Sequence, residues 1–169
     1  MATTPDQHKA DAPDSVRCAV ITLSDTRTVE TDTGGQTVVD RLSAAGHEVG
    51  YRNIIPDEPE QLRCLLEQFR DQSDIDCVLL TGGTGISARD QTFETVSELL
   101  TRSLPGYGEL FRMLSYQEIG PAARWSRATG GLMKSTLVLT MPGSRAAVSL
   151  ALDRVILPEL SHLVREARR

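Results

Sequence analysis

The chain has few of the residues on which several common function classes depend. Cys18, Cys64 and Cys77 are its only cysteines in 169 residues. They stand at no paired or metal-type spacing and read as small apolar side chains in a reducing compartment. His8, His47 and His162 are equally isolated, so no His/Cys cluster points to zinc. An excess of basic charge is missing too, the formal net charge being -5. A nucleic-acid partner would call for the opposite balance. A local anion site stays open, because backbone amides bind phosphate without help from lysine. No apolar stretch approaches the ~20 residues of a membrane span. Met1 to Ser15 lacks the basic start and apolar run of a secretory signal. The expected setting is therefore cytoplasmic, with neither membrane nor nucleic acid as partner. No internal repeat is found.

What remains has the make-up of an ordinary globular protein, 40% hydrophobic and 24% charged, at a length that suits one domain. Residues 1–15 are polar, with Pro5 and Pro13, and read as a mobile tail; residues 16–169 read as the domain. Short apolar runs then alternate with helical patterns. Arg17 to Leu23 (RCAVITL), His47 to Ile55, Asp76 to Thr81 (DCVLLT) and Ser135 to Met141 (STLVLTM) read as four strands. Val38, Val39 and Leu42 place a helix over Gly34 to Ala45, stopped by Gly46. Leu62, Leu65, Leu66 and Phe69 recur at i, i+3, i+4 and i+7, so Glu58 to Gln72 is an amphipathic helix. Thr92 to Leu100 is helical, Leu104 to Gly108 (LPGYG) breaks the pattern, and Glu109 to Tyr116 and Pro121 to Arg127 are short helices. Ser144 to Arg165 is predicted as one closing helix despite Pro158. Strands that are apolar throughout are covered on both faces, which implies a parallel sheet wrapped by helices.

Right-handed crossovers would bring every strand-to-helix loop to one edge of that sheet, where ligands of open α/β sheets sit. Four loops meet there: Ser24-Asp25-Thr26, Pro56-Asp57-Glu58, Gly82-Gly83-Thr84-Gly85 running on to Arg89-Asp90, and Pro142-Gly143-Ser144. Three glycines in four residues allow amide N–H groups to point into one concavity, and the following helix start adds its dipole. No Lys-Ser/Thr follows, so the loop is not of the Walker type; a tight turn also demands glycine. Asp57 and Asp90 would repel a polyphosphate unless a divalent cation stood between. Mg²⁺ bound by one or two carboxylates and substrate phosphate suits that edge. Each acid also stands where a helix N-cap would, Asp25 where an Asx turn would close, and Ser144 where a cap would serve. Arg112, Arg124 and Arg127 fit exposed helix faces or anion contacts. Trp125 fits an interface or the core, or a stacking role. The apolar segment Leu104 to Ile119 is hard to bury in one small domain, so part of it is expected at a subunit interface.

The run Thr81-Gly82-Gly83-Thr84-Gly85-Ile86-Ser87-Ala88-Arg89-Asp90-Gln91-Thr92 resembles the signature of the molybdopterin-binding MogA/MoaB family. So do Ser24-Asp25, Asp32-Thr33-Gly34-Gly35, Ile55-Pro56-Asp57-Glu58, Pro105-Gly106-Tyr107-Gly108-Glu109, Ser126-Arg127-Ala128 and Met141-Pro142-Gly143-Ser144. Phe111 to Gly120 is similar to the B-type branch. One departure is Phe93, where the family often has proline. The resemblance implies a three-layer α/β/α sandwich around a mainly parallel sheet. It implies adenylylation of molybdopterin by Mg-ATP, with Asp57 and Asp90 in catalysis and Mg²⁺ binding. Ser24, Asp25, Thr81, Gly82, Gly83, Thr84, Gly85, Arg89, Gly143 and Ser144 would hold the substrates. Trimers or hexamers, and contacts with other cofactor-assembly proteins, are implied as well. A non-catalytic molybdopterin carrier is the alternative. The competence-damage type usually replaces the residue that is Thr84 here, which argues against it.

Overall fold

The computed structural model describes residues 13–71 and 74–169. Most of the expected tail, residues 1–12, lies outside the described residues. The first strand, β1 (Arg17–Leu23), carries six buried residues in succession. β3 (Cys77–Thr81) and β6 (Thr136–Met141) are buried at every position. Such runs are stable only where both faces are covered. β2 (Glu48–Ile55) is different, with exposed and half-buried residues interleaved, because it forms one border of the sheet. With β4 at Arg102–Ser103 and β5 at Gly130–Met133, the six-stranded sheet has the order β2-β1-β3-β6-β5-β4. The first four strands are parallel. β5 runs antiparallel to β6, and β4 antiparallel to β5.

Side chains alternate between the two faces, and each face has its own core. On one side Cys18, Val20, Leu79 and Leu139 pack against Val38 and Leu42 of α1 (Thr33–Ala44) and Phe111 of α4 (Pro105–Ile119). The same core takes in Val148 of α5 (Arg145–Ala151) and Val164 of α6 (Leu160–Ala167). On the other side Ala19, Ile21, Val78 and Leu80 meet Leu62, Leu66 and Phe69 of α2 (Pro59–Asp71) and Val96 of α3 (Thr92–Leu99). The result is the expected helix–sheet–helix sandwich. Each of the buried valine, leucine, isoleucine and phenylalanine side chains among these stabilises the fold by roughly 1.5–3 kcal/mol.

Three features differ from the sequence expectation. Leu104 to Gly108 does not interrupt a helix but starts one: Pro105 occupies the first turn of α4, where its missing N–H costs nothing. Gly108 is needed inside that helix, since a methyl group there would stand 2.4 Å from the Ala128 carbonyl oxygen. The sheet has two additional strands, β4 and β5. Finally, the closing helix is broken. A π turn over Leu152–Ile156 and the bond from Leu157 N–H to the Leu152 carbonyl (2.9 Å) absorb the donor that Pro158 lacks.

Candidate functional site

The chain leaves β1 for β2 on one side and returns to β3 on the other. The carboxyl ends of β1 and β3 therefore flank a switch in strand order, where such sheets open a crevice. The glycine loop follows β3 there. Gly82 and Gly83 have φ of 105° and 61°, a region that side-chain-bearing residues avoid. Both also approach neighbours closely. A methyl on Gly82 would lie 2.3 Å from the Leu23 carbonyl oxygen; one on Gly83 would lie 2.1 Å from Thr92 Oγ1 and 2.9 Å from Asp57 Oδ1. A methyl on Gly85 would lie 2.8 Å from Asp90 Oδ2. Asp57 and Asp90 thus both press against the glycine loop, although they come from different segments of the chain.

Backbone and hydroxyl bonds hold the loop in place. Gly82 N–H donates to the Met141 carbonyl at 3.0 Å, and Thr92 N–H to the Gly83 carbonyl at 3.2 Å. Thr92 Oγ1 donates to the Gly82 carbonyl at 3.2 Å. Buried Thr81 donates to the Pro142 carbonyl at 3.3 Å, tying the third loop to the fourth. Ser144 caps α5, accepting from Ala147 N–H at 3.3 Å. Ser24 instead caps its own turn, accepting from the N–H groups of Thr26 (3.2 Å) and Arg27 (3.1 Å).

The acids have separate roles. Asp90 is not the cap of α3; Gln91 holds that position. Its Oδ2 accepts from Ser87 N–H at 2.9 Å and closes the loop. Asp25 closes no Asx turn. One of its oxygens accepts from Asp57 N–H at 3.1 Å. Both accept from Arg89, through Nε and Nη2 at 3.0 Å each. The Arg89 hydrogen bonds hold the Asp25 carboxyl below the ordinary carboxylate range. Arg89 Nη2 also donates to Glu58 at 2.8 Å. Asp57 contrasts with Asp25. Among the described residues its carboxylate accepts no hydrogen bond. Partial burial raises its pKa first, then the charges of Asp25 and Asp90; Arg89 alone acts the other way.

Trp125 is half-exposed and lines a hollow of about 320 Å³ with Gly83, Thr84, Gly85, Asp90, Phe111, Pro142, Gly143 and Ser144. Its wall is mostly aromatic, aliphatic and backbone, which suits a flat ring ending in an anion. Asp57 lines a separate small recess with Glu58, Arg89 and Thr92, and its Oδ1 also reaches Gly83 at the rim of the hollow. Ser24 borders a second hollow of about 560 Å³ with Arg27, Arg52 and Asn53. Among the described residues no three His, Cys, Asp or Glu side chains could together cage a metal ion. Mg²⁺ needs no such cage, since it keeps waters and takes one or two carboxylates plus phosphate. Asp57, a crowded carboxylate without a donor, and Asp90 beside it fit that donor set.

Arg127 has a place that its position in the sequence does not reveal. Its Nε donates to the Gly85 carbonyl at 2.6 Å and its Nη2 to the Asp90 carbonyl. Its N–H donates to the Thr84 carbonyl at 2.8 Å. The guanidinium pairs with Glu94 and stands 5.6 Å from the centre of the Phe93 ring. Phe93, the departure from the family pattern, thus forms a platform for the residue that braces the loop. Arg112 supports the same segment from α4, donating to the Ala128 carbonyl at 3.1 Å. The Ser126-Arg127-Ala128 stretch is the only signal in the sequence for this role.

The domain family described as "Probable molybdopterin binding domain" matches residues 19–162. The chain belongs to this family. It is 51% identical over 165 residues to molybdenum cofactor biosynthesis protein B of Bacillus subtilis (strain 168), covering 96% of both chains. A crystal structure of a molybdenum cofactor biosynthesis protein B superposes with a TM-score of 0.90 at 48% identity, covering 94% of this chain and 99% of that one. The tungsten cofactor synthesizing protein MoaB from Pyrococcus furiosus superposes at 0.81 with 36% identity, covering 94% and 100%. The similarity read from the motifs, including the B-type branch, is borne out. Among the described residues no helix is long and apolar enough to cross a membrane.

Proposed function

We propose that the chain binds molybdopterin in the hollow beside Trp125 and transfers an adenylyl group to it from Mg-ATP. The pterin ring is taken up by the apolar wall of Phe111, Trp125 and Pro142, and its phosphate by the amides of Gly83 to Gly85 and the start of α5 at Ser144. An oxygen of that phosphate attacks the α-phosphorus of ATP. The bond from this phosphorus to the bridging oxygen breaks, and pyrophosphate leaves. Asp57 and Asp90 would hold Mg²⁺, which would supply neutralisation of the phosphate charge when bound. The second hollow, along Ser24, Arg27 and Asn53, offers room for the nucleotide.

The single observation that carries this reading is the state of Asp57: a half-buried carboxylate with no donor, pressed against the glycine loop and facing like charge from Asp25 and Asp90. A molybdopterin carrier would have no use for that arrangement. The experiment is an assay of purified protein with molybdopterin and Mg-ATP. The expected result is pyrophosphate release that needs both substrates; molybdopterin binding without pyrophosphate would establish the carrier instead. The exposed apolar side chains Leu110, Met113, Tyr116 and Ile119 of α4, with Trp125, support self-association into the trimer or hexamer expected from the sequence. We place the reaction in the cytoplasm.

A further inference from the structure

Four carboxylates crowd the edge where the proposed Mg²⁺ would act: Asp25, Asp57, Glu58 and Asp90. A magnesium ion shared with a nucleotide calls for one or two of them. The structure offers a device for leaving out the others. Arg89 grips both oxygens of Asp25 through Nε and Nη2 at 3.0 Å each, and reaches Glu58 Oε1 at 2.8 Å. Asp25 Oδ1 is further committed by the N–H of Asp57 at 3.1 Å. The planar guanidinium matches a carboxylate with two parallel donors, which an ammonium cannot do. Asp57 and Asp90 receive nothing from Arg89 beyond its field.

We infer that Arg89 is a positioning residue, an internal cation that withholds Asp25 and Glu58 from metal so that a divalent ion binds here only together with nucleotide phosphate. The inference rests on the Mg-ATP reading for the identity of the ion. Its geometry rests on the three loops that Arg89 joins: its own after β3, Asp25 after β1, and Glu58 after β2. With Arg89 in place the edge presents two usable carboxylates and one fixed positive charge, a poor lodging for a bare dication. Nucleotide phosphates supply the missing oxygens and the missing negative charge. Loss of Arg89 would remove the fixed positive charge and release the carboxylates of Asp25 and Glu58, leaving an edge whose uncompensated negative charge attracts the ion alone.

The test uses Mn²⁺ as the probe, counted by electron paramagnetic resonance on the full chain without molybdopterin. Wild type should bind Mn²⁺ alone weakly and bind it more tightly once ATP is added. R89Q should bind Mn²⁺ alone at least about tenfold more tightly than wild type, since affinity follows the number of charged ligands. R89K, which keeps the charge but not the fork, should fall between them. The double variant R89Q/D25N should lose most of the gain. Tight nucleotide-free binding by wild type, or R89Q no tighter than wild type, would overturn the inference. The wild-type arm decides even if R89Q does not fold. Should ATP fail to tighten Mn²⁺ binding to wild type while R89Q still gains affinity, the Mg-ATP reading and the dependence on nucleotide fail, and only the withholding of Asp25 and Glu58 by Arg89 stands.

Discussion

Replacing Asp57 by Asn separates two accounts of this residue, because they predict opposite signs for stability. An Asp at a helix start that serves as a cap stabilises the fold, and its removal costs about 0.5–2 kcal/mol. The structure shows no such use: the carboxylate takes no hydrogen bond among the described residues and faces Asp25 and Asp90. Like-charge pairs near the surface each cost roughly 0.2–1 kcal/mol after solvent screening; Glu58 adds a smaller repulsion to those of Asp25 and Asp90, and the attraction of Arg89 offsets only part of the three. D57N should therefore stabilise the protein by about 0.5 kcal/mol, or roughly 1–2 °C in Tm for a domain of this size. The pH dependence has a fixed sign. Burial and neighbouring charge raise the Asp57 pKa in the folded state, whereas the unfolded value is near ~4. The penalty is absent below ~4 and develops as pH rises through the raised folded value. The advantage of D57N should be full at neutral pH and vanish in acid. Thermal melts of both proteins from pH 3.5 to 8, alongside pyrophosphate release, provide the assay. Turnover should drop by roughly a hundredfold or more while Tm rises. A D57N protein that melts earlier at pH 7 by about 1 kcal/mol or more, with turnover intact, would refute the reasoning.

Other outcomes follow from the same geometry. Gly82→Ala should cost about 3 kcal/mol, strain plus a clash with the Leu23 carbonyl, whereas Gly46→Ala should cost only about 1 kcal/mol. Gly46 also has positive φ but open space around it, and equal losses in urea melts would contradict the close approach. Arg127→Ala should destabilise by about 2 kcal/mol, because it strands the Gly85 and Asp90 carbonyls; hydrogen exchange should quicken over residues 83–91, and Arg127→Lys should restore only part of the protection. Asp76→Ala removes the partner of Arg168 and of Arg17 N–H at the opposite edge of the sheet; it should lower Tm by several degrees without changing pyrophosphate release in the cold. A monomeric mass by light scattering at micromolar protein would contradict the proposed burial of the Leu110–Met113–Ile119 face.

Much of the architecture is legible in the sequence because its central strands are buried on both faces. The apolar run Arg17–Leu23 matches β1 to the residue, and the runs for β3 and β6 match within one residue at their starts. The strands that escape notice have no pattern to read: Arg102–Ser103 is two exposed residues, and Gly130–Met133 begins with two glycines. Both are recognisable only through their partners, β6 and one another. The start of α4 is hidden because Pro105, Gly106 and Gly108 all count locally as breakers. Contacts that are distant in sequence outweigh that local preference: Gly108 lies against Ala128, and Phe111 is buried in the core.

The glycine loop and the acids at 57 and 90 are legible from motif and topology, since parallel strands send their loops to a common edge. The partners of those acids are not. Asp25, Glu58 and Arg89 are joined only once two crossovers, β1 to β2 and β2 to β3, are in place. Arg127 follows a short 3₁₀ turn (Gly120–Trp125), with no periodicity to show which way it would point. A lone tryptophan usually belongs to an interface or the core. Trp125 lines the hollow while still half-exposed, a position that nothing in its sequence neighbourhood reveals.

The most direct test of the central claim is a crystal structure of the protein with molybdopterin, Mg²⁺ and a non-hydrolysable ATP analogue. The account predicts the pterin against Trp125 and Phe111, its phosphate on the amides of Gly83 to Gly85, and one metal ion between the nucleotide phosphates and the carboxylates of Asp57 and Asp90. A nucleotide bound away from these two acids, or a pterin outside the Trp125 hollow, would contradict it.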